Sequence, residues 1–298
     1  MSRLSLLIIV AAISTAVIAS EPVGVAELSA LQIVEKNVAA RGGLEAWRKI
    51  QTMVWLGHIE RASAGAASLP YVLEQKRPNK TRFEIKVRNQ VATRIYDGTD
   101  GWKLHPASNG RPDLQPFTAE ELVFARDRQG IDGALLDYQA KGIAVTLDGI
   151  DEVEGRKAYR LSVNMPSGAS HHVWIDAQSF LEVKYDQQSR NGLGLMGRVT
   201  VYYRNYQTID GLQIPLLIES SLSSARNIAR STDKMVIDKI SLNPPLDDQR
   251  FAKPRLPAGR NALAVDTGFK QAFRPGELRS TGGLGFNSRQ AAGSAGER

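Results

Sequence analysis

The chain has 298 residues, a formal charge of +7 and no cysteine, which excludes disulfides, a cysteine-borne lipid anchor and a cysteine nucleophile. Its 42% hydrophobic and 23% charged residues are those of a globular protein with a sizeable core. The basic excess does not define a nucleic-acid groove: five of the seven charges come from eight basic and three acidic residues beyond position 252.

Arg3 precedes an apolar run from Leu4 to Ala19, and small residues at Ala19 and Ser20 stand before Glu21-Pro22. That is the pattern of a secretory signal peptide over 1–20, with a retained anchor as the alternative. No later stretch approaches the roughly 20 apolar residues that span a bilayer, so no integral membrane segment is expected after its removal. Leu31, Val34 and Val38 then recur at helical spacing. Ser29 and Gln32 have capping-box spacing, and Gly42-Gly43 offers a stop. A short turn over 44–50 returns Trp47 to the apolar side.

From Gln51 the period becomes two. Phe83, Ile85 and Val87 alternate with Arg82, Glu84 and Lys86, and Tyr159, Leu161 and Val163 alternate with Arg160, Ser162 and Asn164. Further strands are expected over 52–61, 70–76, 91–96, 101–105, 143–151, 171–176, 180–186, 197–206, 212–221 and 232–241. Asp97-Gly98, Glu154-Gly155, Ser167-Gly168 and Asp210-Gly211 give turns too short for parallel crossovers, so the sheet should be an antiparallel meander. Between Thr118 and Tyr138 the alternation gives way to a helical pattern. Thr118 and Glu121 have capping-box spacing, and Gly130 and Gly133 divide the segment into two short pieces. Residues 258–298, rich in Gly, Ala, Ser and Arg without a period, read as a disordered tail.

Together these elements predict an α+β fold: a curved antiparallel half-barrel of about 11 strands over 21–257, curling around an N-terminal helix and a short mid-chain helical pair. Alternation places Trp55, Phe83, Ile85, Val87, Trp102, Leu104, Tyr159, Leu161, Val201 and Tyr203 on the apolar wall, with Met53 beside them. Leu122, Phe124, Leu135 and Leu136 of the helical pair would cover that wall as a lid if the family resemblance set out below holds for the fold. Trp102, after the Asp97-Gly98 turn, suits either the cavity mouth or an ordinary core position.

Catalytic and cofactor motifs are weak. Gly192-x-Gly194-x-x-Gly197 fits the dinucleotide fingerprint literally, but a β-branched and aromatic strand follows it where a helix N-terminus is required. It reads as a hairpin loop. His171 and His172 point to opposite faces of a regular strand, so they cannot share one metal. No nucleophile elbow or zinc-protease motif occurs. No catalytic residue, metal or cofactor is expected, although two turn carboxylates meeting in space would give an acid/base pair.

Five segments in order resemble the outer-membrane lipoprotein-sorting proteins, the LolA-like family. They are Ala40-Arg41-Gly42-Gly43-Leu44-Glu45-Ala46-Trp47, Tyr96-Asp97-Gly98-Thr99-Asp100-Gly101-Trp102, Gly155-Arg156-Lys157-Ala158-Tyr159, Trp174-Ile175-Asp176 and Leu242-Asn243-Pro244-Pro245-Leu246-Asp247-Asp248. The resemblance covers residues 28 to 255. It implies a lidded half-barrel whose concavity receives lipoprotein acyl chains or another lipid in the periplasm, without catalysis. The arginine that latches the lid in that family matches no position here. The function expected is therefore a monomeric periplasmic carrier of a hydrophobic ligand. The alternative is an envelope sensor or scaffold that binds another envelope protein.

Overall fold

The computed structural model describes residues 28–61, 66–88, 90–106, 112–128, 130–190, 196–224 and 227–256. The signal-peptide and tail expectations, and the loop holding Gly192 and Gly194, lie outside the described residues. Both capping boxes form. Ser29 accepts from the Gln32 N–H and opens α1 (Ala30–Ala40), and Thr118 accepts from the Glu121 N–H and opens α3 (Ala119–Asp127). Between them α2 (Leu44–Arg48) buries Trp47, whose indole N–H donates to the Arg41 carbonyl at 3.0 Å.

Thirteen strands follow in a single sheet among the described residues. The first six are β1 (Thr52–Glu60), β2 (Leu69–Lys76), β3 (Lys80–Val87), β4 (Gln90–Tyr96), β5 (Gly101–Pro106) and β6 (Pro112–Pro116). After α3 come β7 (Ala144–Val153), β8 (Arg156–Asn164), β9 (Ser170–Asp176), β10 (Glu182–Arg190), β11 (Met196–Ile209), β12 (Leu212–Ser224) and β13 (Asn227–Leu242). The order is β6-β5-β4-β3-β2-β1-β13-β12-β11-β10-β9-β8-β7, with every neighbouring pair antiparallel. Two meanders therefore join where the first strand meets the last, and β6 and β7 are left as free edges. The sheet stays open as a curved half-barrel.

This topology dictates the course of the middle segment. The chain leaves one edge at β6 and must re-enter at the opposite edge, β7, so the connection over 117–143 crosses the inner face. Its first part is α3. Its second part, over 130–142, is a chain of turns and not the second helix expected. Left-handed Gly130, Gly133, Asp137 and Gly142 interrupt any helical run there.

Two apolar clusters lie on the inner face. The larger joins Trp47, Met53, Trp55, Tyr71, Leu73, Phe83, Leu136, Leu212, Ile218 and Ile237. The smaller joins Ile33, Val34, Leu135, Leu161, Val163, Val173 and Ile175. The inward side of α1 is thus Ile33, Val34 and Asn37, while Leu31, expected inward, is 46% exposed. On the outer face the segment after β13 straps β1 to β3. Lys76 donates to the Leu246 carbonyl at 2.7 Å, Arg250 pairs with buried Glu74, and Arg82 donates to the Arg250 carbonyl at 3.1 Å. Phe251 in this strap is fully buried.

Candidate ligand site

Phe83 on β3 lies opposite Arg94 on β4, and Arg94 lies opposite Lys103 on β5. Directly opposed residues share a face, so Arg94 and Lys103 stand on the inner side with Phe83. By the same registers Ile95 lies opposite Trp102, and Thr93 opposite Leu104. Trp102 and Leu104, expected on the apolar wall, therefore fall on the other face. The phase across the β4–β5 hairpin depends on pairing that one strand cannot reveal.

The other expected wall residues occupy the inner side in two different ways. Trp55, Phe83 and Val201 are buried in the larger cluster and Leu161 in the smaller. Tyr159 packs against the smaller cluster and stacks on Phe180 with 6.1 Å between centroids. Ile85 and Tyr203 border the larger cluster and keep part of their surface, as do Val199, Leu69 and Leu216. Val87 is also half-buried. One part of the concavity is accordingly filled by α1, α2 and the turns that carry Leu135 and Leu136, both 1% exposed. The remainder is walled by apolar side chains that keep part of their surface.

On the inner side α3 reaches Arg94 and Lys103 at one end and the β2–β3 and β8–β9 turns at the other. It has no fully buried side chain, and Phe124 is 37% exposed. Polar contacts hold it at both ends. Glu121 pairs with Arg94 at 2.9 Å and Lys103 at 2.8 Å. At the other end the Asn79 amide, from the β2–β3 turn, donates to the Ala125 and Arg126 carbonyls at 3.2 and 3.1 Å. Those acceptors belong to the last turn of the helix, where intrahelical donors run out. The Ser167 hydroxyl, from the β8–β9 turn, donates to Asp127 at 2.5 Å. The helix thus bridges strands from opposite halves of the sheet. Burial alone would raise the Glu121 carboxyl, but hydrogen bonds from Lys103 and the Thr118 N–H, with the Arg94 charge, outweigh it and hold it at about 2. Further along, Arg77 clamps the turns by donating to Asp132 and to the Trp47 and Ile50 carbonyls.

In the second half of the sheet the inner face also carries polar groups, on His171 of β9, Tyr185 of β10 and Tyr203 of β11. His171 sets its ring edge against Tyr185 at 5.2 Å, and Tyr203 lies diagonal to Tyr185 across the β10–β11 pair. Surrounding protein desolvates all three. It pushes His171 down to about 4, with His172 adding to the effect, and pushes the Tyr185 and Tyr203 hydroxyls up. None of the three is fully buried, however. Sequence reading missed His171 and Tyr185 as part of this wall, although their alternation with His172 and Asp186 carried the signal. On the outer face His172 instead bonds Asp186 at 3.0 Å. A depression of about 400 Å³ near that face, lined by Val153, Arg156, Asp176, Leu181 and Arg204, is mixed in polarity and spanned by ion pairs.

The fold has counterparts among solved structures. A LolA superfamily protein from Nitrosomonas europaea superposes with a TM-score of 0.50 and 16% identity, over 76% of this chain and 99% of that one. The fold is LolA-like. A DUF1329 family protein from Desulfovibrio piger also gives a TM-score of 0.50, with 12% identity over 75% of this chain and 97% of its own. An outer membrane lipoprotein-sorting protein domain from Vibrio parahaemolyticus matches at 0.48 and 14%, over 75% and 96%. No family profile and no curated protein sequence matches the chain. Among the described residues no helix of this LolA-like chain is long and apolar enough to cross a membrane.

Proposed function

We propose that this protein is a non-catalytic, exported, periplasmic carrier that takes the apolar chain of a lipid or lipidated protein into the space between α3 and the inner face of the sheet. The observation that carries this reading is the unequal filling of the concavity. Trp55 and Leu212 are sealed by helices and turns, while Ile85, Val87, Val199, Tyr185 and Tyr203 keep accessible surface on the same face, and α3 buries no side chain completely. Burying each methylene is worth about 0.8 kcal/mol, so a sixteen-carbon chain gains roughly 12 kcal/mol from such a wall. That is commensurate with the roughly 4–15 kcal/mol that association costs. A helix held at its ends by polar contacts can shift without exposing the sealed clusters. Native mass spectrometry of protein purified from the envelope tests the reading: a lipid-sized mass adduct supports it. A clean apo mass, together with no uptake of a fluorescent fatty acid, refutes it.

A further inference from the structure

The sheet distributes its charges unevenly between the two ends of its strands. Antiparallel order brings the β1–β2, β3–β4, β5–β6, β8–β9, β10–β11 and β12–β13 connections to one end. In sequence these connections contain no aspartate or glutamate. The other hairpin connections turn at the opposite end, and Asp97, Asp100, Glu154 and Asp210 lie in them, the last three exposed. At the first end Arg61 directly follows β1, while Lys86 and Arg88 stand at the close of β3, on the other side of β2. Arg61 and Arg88 are exposed, and among the described residues none of these three cations forms an ion pair. Neighbouring Glu60 reaches back to His58 at 3.7 Å.

The inner face becomes accessible towards the same end. Along β1 to β3 it passes from Met53 and Leu73, 2% and 0% exposed, to Leu69, Ile85 and Val87, which keep part of their surface. Val87 immediately precedes Arg88. In the other half of the sheet, half-buried His171 and Val199 lie near the β8–β9 and β10–β11 connections.

We propose that this end of the half-barrel docks on an anionic membrane surface, with Arg61, Lys86 and Arg88 among the phospholipid phosphates and the accessible part of the concavity turned towards the bilayer. The proposal rests on the carrier reading for what crosses that contact. Separate cations on hairpin ends, without a groove between them, suit a surface whose anions move laterally to meet each one. The acidic far end is repelled by the same surface, so the field orients the molecule before contact. An apolar chain leaving the bilayer there would meet Val87 and Ile85 without crossing water.

The test measures sedimentation of the mature protein at low ionic strength with vesicles of phosphatidylglycerol and phosphatidylethanolamine, and with vesicles of phosphatidylcholine alone. The first should bind and the second should not, and added salt should release the protein. One basic side chain near such a surface is worth about fivefold in affinity, so Arg61→Gln with Arg88→Asn should weaken binding about 25-fold. Asparagine tolerates the left-handed backbone of residue 88, at φ 57. Lys49→Gln with Lys157→Gln removes the same charge from exposed sites at the other end and should leave binding unchanged. Equal losses in the two double variants overturn the proposal in favour of net charge, and no loss in the first overturns it in favour of another segment. Equal binding to both kinds of vesicle overturns it too. Absent vesicle binding does the same, and a photocrosslinker at position 88 that then captures an acidic protein would assign this end to a protein partner. The assay reads adsorption and not uptake, so its failure leaves the carrier reading to the lipid adduct.

Discussion

Replacing Glu121 by Gln is the sharpest perturbation of the crossing helix. The side chain keeps its shape and can still accept from the Thr118 N–H, but it loses its charge towards Arg94 and Lys103. In the folded protein the carboxyl sits at about 2 against an ordinary 4.5. At about 1.4 kcal/mol per unit this is on the order of 3 kcal/mol in favour of the ionised, bound state. Since α3 buries no side chain completely, its opening leaves the sealed clusters intact, and the loss should fall on α3 rather than on the whole fold. Hydrogen exchange of amides 119–127 should then accelerate by on the order of 100-fold in the variant at pH 7, with β1, β2 and β13 unchanged. The pH dependence has a fixed sign. A depressed carboxyl contributes fully above about pH 5, loses its contribution as pH falls through the window from 4.5 to 2, and contributes nothing below. Wild-type α3 should loosen across that window and the variant should not. Unaltered α3 exchange, or equal acceleration throughout the sheet, would refute the claim that polar ties at its ends hold this helix.

Other expectations are independent of that helix. The Trp55 indole N–H is buried without a partner among the described residues, so Trp55→Phe should cost less than about 2 kcal/mol in urea unfolding, whereas Trp55→Ala should cost about 3–5. Arg250→Ala leaves Glu74 buried beside only a long contact to Arg82 at 3.9 Å and should lower stability by about 3–5 kcal/mol, and adding Glu74→Gln should recover part of it. Gly57 faces the Val236 carbonyl so closely that an added Cβ would sit 2.0 Å from its oxygen, so Gly57→Ala should lower the melting temperature by several degrees by forcing β1 and β13 apart. A lowered His171 makes protonation unfavourable in the folded state, so stability should fall as pH drops from 6.5 towards 4, and an NMR titration should place His171 near 4.

Much of this architecture was legible from local pattern. Two capping boxes located α1 and α3 because capping needs only residues three apart. Period-two alternation located the strands, since pleating is a property of each strand alone. The edge strand β6 escaped because Pro112-Asp113-Leu114-Gln115-Pro116 is short and bounded by proline, as suits an edge that must not pair further. Leu31 shares the helical spacing of Val34 and Val38, which do pack inward, and only the docking of α1 shows that Ile33 takes its place. Irregular registers at Leu56/Gly57 and Leu147/Gly149 shift the phase of facing within a single strand. No periodicity in one strand records where its partner bulges.

Alone, the amino-acid order determined what each segment is: helices where side chains cap their own backbone, strands where apolar and polar residues alternate, and a crossing segment where alternation stops. Tertiary structure decided which faces meet. It turned Trp102 and Leu104 outward, set His171 against Tyr185, laid the Arg250 strap across the outer face, and divided the concavity into a sealed part and an accessible part. The physical reason is range. Capping and pleating are settled within a few residues, whereas register, curvature and enclosure arise from pairing between strands as far apart in sequence as β1 and β13.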